Sequence, residues 1–173
     1  TTQATLLAQA TESSPTNYDS ITVNAGVTVT ATSGNLTFEA GDGITISAGA
    51  TIRATAGEII FRTGVSDTDS DGNMTLNGAI EAVGTNQTIT LDLNQQQGLT
   101  QATTGSLIAA NLRLISTGNT AASFSLGNST LNDVDTLAVN TSGAVSYRDA
   151  DDLIIGSISA SSGIPAMAGI STL

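Results

Sequence analysis

The sequence predicts an all-β chain wound as a parallel β-solenoid, and three observations carry that prediction. Apolar and small polar residues alternate at period two along almost every segment, the pattern of strands with one buried face. A longer period of 23 to 30 residues lies over the short one. The composition suits a narrow interior: 3% of residues are aromatic, Trp is absent and 18 residues are Gly.

Taken in order, the first dozen residues, around Leu6, Leu7 and Ala8, read as a short helical or irregular cap, or as the lead-in to the first coil. Strands follow at Ile21-Thr22-Val23, Val27-Thr28-Val29-Thr30, Leu36-Thr37-Phe38-Glu39, Ile44-Thr45-Ile46-Ser47 and, further on, Thr88-Ile89-Thr90-Leu91-Asp92-Leu93. Gly, Asn, Asp and Ser punctuate them every 5 to 10 residues, where tight turns need residues that accept unusual backbone angles or bond their own backbone.

Many short strands would also suit a β-sandwich, so the longer period decides. Leu36, Phe38 and Glu39 superpose on Ile59, Phe61 and Arg62 at an offset of 23. The same column continues through Ile89/Leu91, Leu112/Leu114 and Leu137/Val139. Phe124 and Tyr147 are again 23 apart, so four of the five aromatics pair at one offset. A second column runs through Ile44/Ile46 and Met74/Leu76, and a third through Ile52, Ile80 and Leu107. Three strand columns repeating in this way describe a triangular coil bonded to the coils above and below it. About six to seven coils, at roughly 4.8 Å each, make a rod about 30 Å long. The chain divides into an N-terminal cap or lead-in at 1–17, solenoid coils at 18–160 and a C-terminal coil or stacking segment at 161–173.

Fifteen Asp and Glu against four Arg give a net charge of -11. Such a chain repels phosphate backbones and anionic headgroups, so nucleic acid is not an expected partner. No apolar run approaches the roughly 20 residues that cross a bilayer, and no basic, then apolar leader opens the chain, so direct membrane insertion is not expected and the chain reads as a mature or excised segment. Without His or Cys there is no His-activated nucleophile, thiolate chemistry or ordinary zinc site, whereas oxygen-ligand sites for hard cations survive.

The stretches Asn111-Leu-Arg-Leu-Ile-Ser-Thr-Gly, Phe124-Ser-Leu-Gly and Asp133-Val-Asp-Thr-Leu-Ala-Val-Asn, with Gly34-Asn-Leu-Thr-Phe-Glu-Ala-Gly earlier, resemble the repeats of filamentous-haemagglutinin-like adhesins, which two-partner secretion exports in Gram-negative bacteria. The resemblance covers most of 21–158 and implies a right-handed β-helix in an extracellular or cell-surface fibre. The N-terminal secretion motif of that family is not visible.

The sharpest local motif is Asp67-Thr68-Asp69-Ser70-Asp71-Gly72. Asp67, Asp69 and Asp71 at alternate positions can converge on one calcium ion while Gly72 supplies the sharp turn. The twelfth position is Gly78 instead of a bidentate Glu and the flanks are strands, so a helical EF-hand is excluded. The blander alternative is a solvated acidic turn. A second acidic cluster, Arg148-Asp149-Ala150-Asp151-Asp152, could offer the paired carboxylates of a glycosidase, but such residues more often bond the backbone of their own turn. Glu39, Arg62 and Asp92 fit an outward charge ladder. The Thr-x-Thr tracts are not held in one column, as a flat ice-binding array would need.

The expected function is therefore an extracellular structural or adhesive module, non-enzymatic. Its partners would be a host or neighbouring-cell surface or a glycan receptor, and further copies of itself by end-to-end coil stacking through apolar termini such as Leu6, Leu7, Ile164, Met167, Ile170 and Leu173. A carbohydrate-active β-helix is the alternative.

Overall fold

Residues 5–12, 19–67, 72–93, 98–116 and 122–171 are described by a computed structural model. Asp69 and Asp71 of the acidic loop, and Leu173, lie outside these residues. The described chain is all-β and forms a parallel solenoid of about five coils. The first coil holds β1 (Leu6–Ala10), β2 (Ile21–Val23) and β3 (Thr28–Ala31); the second β4 (Leu36–Ala40), β5 (Ile44–Ile46) and β6 (Thr51–Ala54); the third β7 (Ile59–Thr63), β8 (Met74–Leu76) and β9 (Ala79–Ala82). The fourth begins with β10 (Thr88–Leu93) and β11 (Gly98–Gln101) and runs into β12 (Ser106–Ile115). The fifth takes the second half of β12, β13 (Ser123–Leu126) and the start of β14 (Asp133–Asn140); β15 (Val145–Tyr147) ends the coiling. The short strands β16 (Ile154–Ile155), β17 (Ser157–Ile158), β18 (Met167–Ala168) and β19 (Ile170–Ser171) follow.

Register along the three columns follows the repeat. Leu36 pairs with Ile59, Phe38 with Phe61 and Glu39 with Arg62. The row continues through Ile89, Leu112 and Leu137. The other two columns stack Ile44 on Met74 and Ile52 on Ile80 and Leu107. Because side chains alternate across a strand, in-register stacking puts every inward residue on a like neighbour. The result is one continuous aliphatic core, in which the rings of Phe38 and Phe61 stack with centroids 4.9 Å apart and planes 11° apart.

Three expectations are corrected. Leu6–Ala10 is a strand, paired in parallel with β4, and not a helical or irregular cap. Tyr147 pairs with Leu126, and Phe124 with Val145, so the coil there is 21 residues long and the two aromatics do not stack on each other. The coil count is about five and not six to seven, because the chain beyond β15 does not wind another full coil: β17 and β18 form an antiparallel hairpin. Its Ile158, Ile164 and Met167 pack with Ile60, Ile115 and Ala138, residues of β7, β12 and β14 that are separate from the interior cluster. The hairpin therefore lies on the outer face of the first column.

Corners are made where glycine permits them. Gly57 stacks on Gly34 so closely that a Cβ would lie 1.9 Å from the Gly34 carbonyl oxygen. Gly26 and Gly49 take positive φ of 75° and 78° at equivalent turns, a region open to glycine without steric cost. Where the corner glycine is missing, as in Ala109-Ala110-Asn111, β12 runs straight through from the third column into the first.

Truncating Phe61, fully buried on Phe38, should cost about 3–5 kcal/mol. Urea denaturation of Phe61→Ala measures this; a loss under about 1 kcal/mol would contradict a closely packed interior.

Candidate functional site

The turn after the first column carries acids in successive coils. Glu12 follows β1, Asp42 follows β4 and Asp67 follows β7, and each offers a carboxylate oxygen, all within 4.8 Å of one another. Asp42 and Asp67 are buried and Glu12 half-buried. The β1–β4 register makes Glu12 and Asp42 equivalent, since Ala10 pairs with Ala40. Asp42 Oδ2 also accepts a hydrogen bond from the Asp19 backbone N–H at 2.5 Å. Gly72, at the far end of the acidic loop, packs so tightly on Asp42 that a Cβ would lie 2.3 Å from its carbonyl carbon. Both described ends of the loop thus meet Asp42. Of the predicted ligands, Asp67 joins this cluster, while Asp69 and Asp71 fall outside the described residues. Glu12 and Asp42 were missed by motif reading; superposing the coils at the Leu6–Leu36 offset would have found them.

Chemically, three converging carboxylates suit a hard cation such as calcium. Two of the four arginines pair with other acids. Arg53 pairs with Glu81. Arg62 Nη1 donates to Glu39 Oε1 at 2.7 Å and its Nε lies 4.0 Å from Asp92 Oδ2, the expected ladder. Such pairs at the surface contribute about 0–1 kcal/mol.

The second acidic cluster lies at the C-terminal end of the solenoid. Asp149 Oδ1 accepts from the Val134 backbone N–H at 3.1 Å and from the Tyr147 hydroxyl at 2.7 Å, and Oδ2 accepts from Asp151 N–H at 3.4 Å. Beside it, Asn132 is fully buried and exchanges hydrogen bonds with Gln101: Gln101 Nε2 donates to Asn132 Oδ1 at 2.6 Å, and Asn132 Nδ2 donates to Gln101 Oε1 at 3.1 Å. Asn132 also accepts from Leu107 N–H and donates to the Leu126 and Arg148 carbonyls. A polar plug thus ends the aliphatic row of Ile52, Ile80 and Leu107, the two Nδ2 hydrogens of Asn132 being shared among three acceptors.

No family model, curated protein or solved structure matches this chain.

Burial, then the adjoining Asp149 carboxylate, holds the Tyr147 phenol far above the ordinary tyrosine range. In the unfolded chain it titrates near 10. Above that pH the unfolded state releases a proton that the folded state keeps, so stability is complete below about pH 10 and falls as pH rises beyond it. Urea midpoints measured from pH 8 to 11 should show this fall, and Tyr147→Phe should flatten it. An unchanged slope in Tyr147→Phe would show that another group is responsible.

Proposed function

We propose that this chain is a non-enzymatic structural and adhesive module, a stiff β-solenoid rod of a bacterial surface adhesin or filament, working outside the cell against a neighbouring surface or glycan receptor. The observation that carries the proposal is the uncovered strand edges at the ends of the coil stack. Among the described residues no strand covers the outer edges of β1, β2 and β3, and Leu6, Leu7 and Val27 are exposed there. At the other end β16 and β19 lie on β14 and Asn132 ends one interior row, while among the described residues the outer edge of β15 is uncovered and Ile154, Ile155 and Ile170 are exposed. An open edge of unpaired backbone groups recruits the next strand, so the rod lengthens or associates through its N-terminal edge. The resemblance to haemagglutinin-like repeats supports the same setting. The alternative, a carbohydrate-active β-helix, would have to free Asp149 from the three hydrogen bonds it accepts.

Sizing and electron microscopy over a concentration series test this reading. Association should appear with concentration and be abolished by Leu6→Lys, which puts a charge at an inward position of the open edge. A monomer at every concentration would contradict it.

Calcium belongs to the same proposal, as the ion that Glu12, Asp42 and Asp67 draw together to pin three successive coils. At 100 times its dissociation constant it would add about 2.7 kcal/mol. Melting in calcium against EDTA should then differ by several degrees, and Asp42→Asn should remove the difference. A melting point indifferent to EDTA would remove calcium from the proposal.

A further inference from the structure

The C-terminal segment takes the places that a further coil would occupy. Leu6, Leu36, Ile59, Ile89, Leu112 and Leu137 form one row through the first column. Ile155 of β16 is its next member, paired in parallel with Leu137. A second row, through Ala8, Phe38, Phe61, Leu91, Leu114 and Val139, is continued by Ile170 of β19. Two short strands therefore stand in for one full strand on the edge of β14. In a second copy, β1 is a parallel strand of the same column, its outer edge uncovered among the described residues, with Leu6 and Ala8 spaced to meet Leu137 and Val139.

We propose that residues 154–171 are a latch, which lifts from the solenoid without unfolding the coils and so hands the edge of β14 to β1 of a second copy. This rests on the stacking reading above and names what regulates it.

The latch is weakly held. β14 meets β16 and β19 through two residue pairs each, whereas β12 and β14 share seven. Glycines mark both junctions of the hairpin: Gly156 precedes β17, and Gly169, at φ 66°, follows β18. Clefts undercut it on two sides, one of about 290 Å³ lined by Glu58, Thr88, Asn111 and Ser157, the other of about 200 Å³ lined by Arg62, Asn140, Ile164 and Met167.

The weakest point is Arg113, an outward residue of β12 that the hairpin buries completely. Nη2 donates to the Ser159 carbonyl and, at 2.8 Å, to Ser161 Oγ. Nε and Nη1 are buried with no hydrogen-bond partner among the described residues. A buried cation short of partners costs free energy that opening to water would recover. Burial lowers the pKa of this guanidinium, and Glu58 offsets that only in part. At the far tip, Ser162 accepts from Asn35 Nδ2 at 2.8 Å and donates to Glu58, which ties the closed latch across to the second and third coils.

Hydrogen exchange read by mass spectrometry on the full chain tests the latch. Amides of 154–171 should exchange at least about tenfold faster than those of β10 and β12, through local opening. Arg113→Met should slow them about tenfold by removing the under-solvated charge. Met167→Asp should speed them and produce filaments that lengthen with concentration. A Cys pair replacing Asn35 and Ser162, in a chain with no other cysteine, should abolish the fast exchange when oxidised and restore it when reduced. Exchange at 154–171 no faster than in β12, or fast exchange that persists in the oxidised Cys pair, would overturn the latch. So would rapid opening in Met167→Asp without filaments, if the unaltered chain associates through its N-terminal edge. If neither chain associates at all, the stacking reading itself fails, and the gating with it.

Discussion

Parallel, in-register pairing between successive coils is the constraint on which the rest depends. Each strand gives its backbone donors and acceptors to the coils on either side, as β7 does to β4 and β10, so no coil satisfies itself. Register then fixes the side chains. An inward aliphatic falls on an inward aliphatic, a corner glycine on a corner glycine, and Arg62 between Glu39 and Asp92. The few aromatics sit in this interior, Phe38 stacked on Phe61 and Phe124 buried further along it.

An architecture of shared hydrogen bonds has a problem at its ends, and the two ends meet it with different chemistry. At the C-terminal end the aliphatic row of Ile52, Ile80 and Leu107 gives way to Asn132, whose amide bonds that of Gln101 in the neighbouring column, and the Asp149 carboxylate accepts the Val134 N–H. The N-terminal end presents exposed Leu6, Leu7 and Val27. The proposed function and the proposed latch both start from these strand edges. On the proposed reading the edge of β1 takes another strand and the C-terminal hairpin is a removable cover on β14.

Much of the fold was legible in the sequence. The offset of 23 between Leu36-Thr37-Phe38-Glu39 and Ile59-Ile60-Phe61-Arg62 is the register itself, and the further rows through Met74, Ile80, Leu107 and Leu137 fell where the repeat placed them. What escaped was the outer face. Ile158, Ile164 and Met167 are ordinary apolar residues near a terminus, and nothing local distinguishes a hairpin folded back on Ile60 and Ile115 from a stacking coil. The acidic cluster was half legible. Asp67 stands in a recognisable motif, but Glu12 and Asp42 are isolated acids that only the stacking of three turns brings beside it. The Asp149 cluster proved to be the backbone-bonding turn that its composition first suggested.

The most direct measurement of the central claim is a set of inter-strand nuclear Overhauser contacts in a backbone-assigned sample. In-register parallel stacking predicts cross-strand contacts from the backbone of Leu112 to Ile89 on one side and to Leu137 on the other, repeated one step on from Leu114 to Leu91 and Val139. Antiparallel contacts between sequential strands, such as β4 with β5 or β5 with β6, would contradict the solenoid and everything built on it.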